Sequence, residues 1–65
     1  MDEIDTMINK GAKINRVLDY AFKYASESDK EVIFKFNTIT WIVMPDGSYE
    51  RWNKNGLIGR FSERL

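Results

Sequence analysis

Two periods of apolar residues run along this chain. From Ile4 to Ala25, apolar or small residues recur at steps of three and four: Ile4, Met7, Ile8, Gly11, Ile14, Val17, Leu18, Ala21, Phe22 and Ala25. Such steps lay one continuous stripe along a helix of about 3.6 residues per turn, so residues 2–27 read as helical. Asp2, Glu3 and Asp5 stand where the helix dipole favours negative charge, and Asp2 is placed to cap the first turn. The polar run Ser26–Lys30 ends the pattern. From Glu31 to Trp52 the period becomes two, which is the repeat of a strand with one buried face.

Gly11 interrupts the stripe. An unbroken helix of this length would measure about 39 Å, against roughly 17–20 Å for strands of ordinary length. Either the helix overshoots the sheet, or it breaks near Asn9-Lys10-Gly11, where Asn and Gly favour a left-handed terminus. The break gives a short first helix and a main helix over 12–27. The overshoot gives a protruding arm that carries Ile4, Met7 and Ile8 to a partner.

The second half predicts a three-stranded antiparallel meander. Strand one is Glu31–Phe36 and strand two is Ile39–Met44, joined at Asn37-Thr38. Thr is a poor residue for positive φ, so that loop has reason to be one residue longer than two. A two-residue loop pairs Phe36 with Ile39, Phe34 with Trp41 and Val32 with Val43, all six on one face. Pro45-Asp46-Gly47-Ser48 is the strongest turn signal in the chain. A loop of two or four residues there pairs Ile42 with Arg51 and Trp41 with Trp52. A three-residue loop would invert every side chain of strand three. Asn53-Lys54-Asn55-Gly56 is a further turn, and the spacing of Leu57, Phe61 and Leu65 predicts a short C-terminal helical turn, although Ile58-Gly59 also allows a fourth edge strand.

The resulting expectation is one α+β domain over 1–65: a long N-terminal helix packed on a three-stranded antiparallel meander. Its expected core is Leu18, Ala21, Phe22, Phe34, Phe36, Trp41 and Val43. The preferred register sets Trp52 and Glu50 on this inner face and leaves Ile33, Lys35, Ile42, Met44, Tyr49 and Arg51 outside, with no element to cover them.

Composition narrows the chemistry. Cysteine and histidine are absent, which removes disulfides, Cys/His zinc patterns, thiol nucleophiles and histidine acid–base catalysis. No phosphate loop, nucleophile elbow or EF-hand spacing occurs. Glu50, beside Val43 in the preferred register, is the one carboxylate placed for a perturbed pKa. No catalytic residue, cofactor or metal is expected. No long apolar run marks a membrane span, and a reducing, cytoplasmic setting fits the missing cysteines. Ten acidic and ten basic side chains balance, unlike the basic footprint of a general nucleic-acid binder. The cluster Tyr49, Arg51, Trp52, Lys54 and Arg60 keeps single-strand binding as the alternative.

The outer face has the make-up of an interface centre: an apolar strip with a Tyr, an Arg and a charged rim. Its partner-binding candidates are Ile33, Lys35, Ile42, Met44, Tyr49 and Arg51, for a protein partner or a second copy in a homodimer. In its size, its lack of Cys and His, and its helix–meander layout, the chain resembles the small single-domain proteins encoded by phages and mobile elements. That resemblance implies a stoichiometric binder that inhibits or regulates a host or defence protein.

Overall fold

A computed structural model describes residues 2–62, with Asp2 described by its backbone alone. The helical half is two helices, α1 (Asp2–Asn9) and α2 (Ile14–Ser28). Gly11 lies between them at φ 83°, a conformation that costs Gly little and other residues much. The Gly11 and Ala12 amides donate to the carbonyls of Ile8 and Met7 at 3.0 and 2.9 Å and close the end of α1. The break folds α1 back against α2 and β1 (Val32–Phe36). Ile4 is fully buried there, so the protruding arm is replaced by a docked helix. Asp29 ends α2 in the left-handed conformation, its amide donating to the Ala25 carbonyl. A cap by the Asp2 side chain lies outside the described residues, as does Leu65.

Four strands follow, β1, β2 (Ile39–Val43), β3 (Ser48–Asn53) and β4 (Gly56–Ser62), paired antiparallel in chain order. The expected β1–β2 register holds at all three pairs, Phe36–Ile39, Phe34–Trp41 and Val32–Val43. The loop is the two-residue form despite its threonine. Asn37 and Thr38 both take positive φ, 54° and 66°, the combination a tight hairpin turn demands.

The second hairpin differs from expectation. Val43 pairs with Tyr49 and Trp41 with Arg51, so the loop is three residues, Pro45-Asp46-Gly47, and not two or four. Pro45 supplies the first central residue of a turn closed by the Gly47 amide on the Met44 carbonyl at 3.2 Å. Gly47 then takes φ 95°. A type I turn followed by a left-handed glycine is the common three-residue hairpin. Asp46 fixes it by accepting from the Ser48 amide and hydroxyl at 2.9 and 2.6 Å. The faces of β3 are therefore inverted: Tyr49 and Arg51 face the helices, whereas Glu50 and Trp52 face away.

The expected C-terminal helical turn is absent over the described residues, and the meander has four strands rather than three. Lys54-Asn55 forms a two-residue hairpin loop between Asn53 and Gly56, which hands β3 a partner at once. The spacing of Leu57 and Phe61 fits either structure, because four residues are close to one helical turn and are also two strand repeats. Opposite Arg51/Trp52, β4 carries one extra residue: Trp52 pairs with Leu57 and Arg51 with Gly59, so Ile58 is bulged and Leu57 and Gly59 fall on opposite faces.

The core is Ile4, Val17, Ala21, Ala25, Val32, Phe34, Trp41 and Val43. Of the expected set, Leu18, Phe22 and Phe36 are only partly buried at its margin. The helices lie over β1 and β2 and their backbones do not approach β3 or β4. Phe22 of α2 still reaches Tyr49 of β3, and on the inner side Phe61 of β4 is left exposed.

Candidate functional site

The sheet presents two surfaces. On the inner one, each strand contributes an aromatic ring to a row: Phe34, Trp41, Tyr49 and Phe61. Phe34 and Trp41 are nearly parallel, 6.1 Å between centroids. Tyr49 stacks on Trp41 at 5.7 Å and on Phe61 at 5.4 Å, and meets Phe22 of α2 edge-on at 5.8 Å. Arg51 sits between two rings, its guanidinium carbon 5.3 Å from the Trp41 centroid and 5.2 Å from that of Phe61. These are cation–π distances, and they hold the charge where it is only half exposed. Arg51 Nε and Trp41 Nε1 are buried and donate to no acceptor among the described residues. Phe61 leans back over Gly59, so close that a Cβ on Gly59 would lie 2.9 Å from the ring.

The outer surface carries two cross-strand rows. One runs Ile33–Ile42–Glu50–Arg60 and the other Lys35–Thr40–Trp52–Leu57. Ile33 is 51% exposed and Leu57 48%. At the centre, Glu50 is buried under its neighbours and fully engaged. Its Oε1 accepts from Trp52 Nε1 at 2.9 Å. Its Oε2 accepts from Arg60 Nε at 2.9 Å and pairs with Arg60 Nη2 at 2.7 Å. The bonds from Trp52 and then Arg60, each favouring the ionised form, hold the Glu50 carboxyl below the ordinary glutamate pKa against the opposing effect of burial. A carboxylate held ionised with both oxygens occupied is a poor proton donor, so the network positions Trp52 and Arg60 and does not prepare an acid catalyst.

The six residues expected on one surface are thus divided. Ile33 and Lys35 are exposed on the outer face, and Ile42 is half-buried there. Met44 follows β2, half-buried, and its amide closes the hairpin on the Ser48 carbonyl at 2.8 Å. Tyr49 and Arg51 belong to the inner face and are partly packed against the core. Trp52, Arg60 and Leu57 take their places outside. The exchange was legible in principle: Pro-Asp-Gly is the sequence of the three-residue loop, and the loop length decides which of Tyr49/Arg51 and Glu50/Trp52 points outward.

A concavity of about 360 Å³ lies between the two turns at one end of the sheet, lined by Thr38, Asn53, Lys54 and Asn55. Among the described residues its lining holds no carboxylate, and Lys54 is the one charged side chain. Among the described residues, no group of three or more His, Cys, Asp or Glu could hold a metal ion, and no helix is long and apolar enough to cross a membrane. Compared with protein-family models, curated proteins and solved structures, the chain matches none.

Proposed function

We propose that this chain is a non-catalytic protein-interaction module that binds its partner through the outer sheet face, acting in the cytoplasm as a stoichiometric inhibitor or regulator of the phage type. The carrying observation is the uncovered strip from Ile33 across Ile42 and Trp52 to Leu57, with Ile33 and Leu57 about half exposed. Trp and Arg are the residue types that most often anchor interfaces. Here the Glu50 network holds both Trp52 and Arg60 in place before a partner arrives, which lowers the ordering cost of association. The matching partner surface is apolar, with an acidic group to meet Lys35.

Single-strand nucleic-acid binding is the alternative. Against it, the rings of Trp41, Tyr49 and Phe61 already stack on one another, and Trp52 neighbours a carboxylate that repels phosphate. Two measurements separate the classes. Immobilised wild-type chain should retain one protein at about equal stoichiometry, and Ile33→Asp should lose it while keeping the same far-UV spectrum. A partner retained unchanged by Ile33→Asp would remove the outer face from consideration. Oligonucleotide binding at low salt that fades by about 200 mM would replace protein binding with the alternative.

A further inference from the structure

We propose that α1 is exchanged between two copies of this chain: the bend at Gly11 straightens, α1 and α2 join into one helix, and Ile4 of each copy fills the slot vacated in the other. The exchange involves the helical side of the sheet and is independent of what the outer face binds. The connection between the helices is short, residues 10–13, and Gly11 is its one residue at positive φ. A Cβ on Gly11 would meet no atom within 4 Å, so no packing enforces the bend there. The bend is held by the amides of Lys10, Gly11 and Ala12, which donate to the carbonyls of Thr6, Ile8 and Met7. An unbroken helix replaces those bonds with its own ladder.

The sequence around the break is written for a continuous helix. The apolar stripe passes through it in phase, from Ile4 and Ile8 through Gly11 to Ile14 and Leu18, at steps of three and four. A helix that starts afresh usually has a Ser, Thr, Asp or Asn cap and acidic residues in its first turn. The start of α2 has neither. Its cap position is Lys13, whose side chain makes no capping bond, and its first turn contains no acid and one base, Arg16. Its leading amides also lack a carbonyl four residues back. In an unbroken helix the Ile14 and Asn15 amides would donate to the carbonyls of Lys10 and Gly11. Gly11 is thus the one local signal for the bend.

The structure itself shows what fills the vacated slot. In the closed chain α1 occupies it, with Ile4 fully buried and Met7 and Ile8 packed beside it. Once the helix is straight, Ile4 stands about 20 Å along the axis from Val17, at 1.5 Å per residue, and is out of reach of its own core. An eight-residue helix does not hold its order alone, so α1 must dock again. A second open copy offers the same slot, empty, and needs the same helix in return. Two exchanged copies restore every core contact of α1 twice and change the backbone only over residues 10–13. The chain has no net charge to oppose the pairing.

Two substitutions in the connection push in opposite directions. Gly11→Ala disfavours the left-handed bend and favours the straight helix, by about 30–100-fold per chain, so the dimerisation constant should rise about 10³–10⁴-fold. Lys13→Pro suits the closed form, where Lys13 has φ −74°, and cannot lie inside an unbroken helix. Sedimentation equilibrium of full chains refolded at about 1 mM should find Gly11→Ala at twice 7.7 kDa and Lys13→Pro at 7.7 kDa. In the Gly11→Ala dimer the Cα chemical shifts of residues 10–13 should be helical. A Gly11→Ala chain that stays monomeric overturns the proposal. So does a dimer whose residues 10–13 keep their non-helical shifts, or one that Lys13→Pro forms equally well. Should either variant fail to fold, the wild type refolded at the same concentration decides. A dimer fraction with helical shifts at 10–13 supports the exchange, and a monomer, or a dimer without those shifts, refutes it.

Discussion

Truncating Ile4 to alanine tests the most consequential packing feature of the helical half. The eight residues of α1 are too few to hold a helix in water, since isolated helices shorter than about 12–15 residues are marginal. Docking must therefore supply the order. Ile4 is completely buried in the common core, while Met7 and Ile8 pack only partly against it. Ile4→Ala removes three buried carbons, about 2.4 kcal/mol of transfer free energy at roughly 0.8 kcal/mol per carbon. The cavity left behind raises the expected cost to about 2–5 kcal/mol. A single core in a domain of this size supplies only about 3–5 kcal/mol of net stability. The variant should thus lose most of its stability, or release α1 while the sheet and α2 persist. Urea titrations followed by tryptophan fluorescence and by the 222 nm signal distinguish these outcomes: together they report global unfolding, and apart they report detachment of α1. The substitution Asp5→Ala, at an exposed position on the same helix, should change stability by no more than about 0.5 kcal/mol. If Ile4→Ala is equally silent, α1 is not docked and the arm is restored.

Two smaller perturbations check the sheet. Thr38 is β-branched and holds φ 66°, so Thr38→Gly should raise the urea midpoint by the equivalent of about 1 kcal/mol; a lower midpoint would show that the turn is not the tight form. Glu50 has its folded pKa below its unfolded value. Its contribution is therefore complete above the ordinary glutamate pKa of about 4.3 and is lost as pH falls through the folded value. Urea midpoints of wild type and Glu50→Gln should differ near neutral pH and converge in acid, and a gap constant with pH would mean that ionisation of Glu50 plays no part.

The periods alone determined the division of the chain into a helical half and a sheet half; the break at Gly11 was one of two readings they allowed, and the β1–β2 register followed from them only with a two-residue loop. The division is a local matter, since a stripe at steps of three and four cannot be a strand; the six apolar residues share a face in any even register, and the two-residue loop selects the one in which Phe34 opposes Trp41. The contents of the outer surface were decided by a single residue of loop length at Pro45-Asp46-Gly47. Period-two patterns do not resolve that choice in β3, because Tyr49 and Arg51 alternate with Glu50 and Trp52 and both pairs mix an aromatic with a charge. Either set can face the core if its charge finds a partner. Only the folded sheet supplies those partners, two aromatic rings for Arg51 and two hydrogen-bond donors for Glu50. The fourth strand was likewise undecided by the spacing of Leu57 and Phe61, which helix and strand share. It forms because β3 offers an unpaired edge one tight turn away, and an edge exists only once the rest of the sheet is in place.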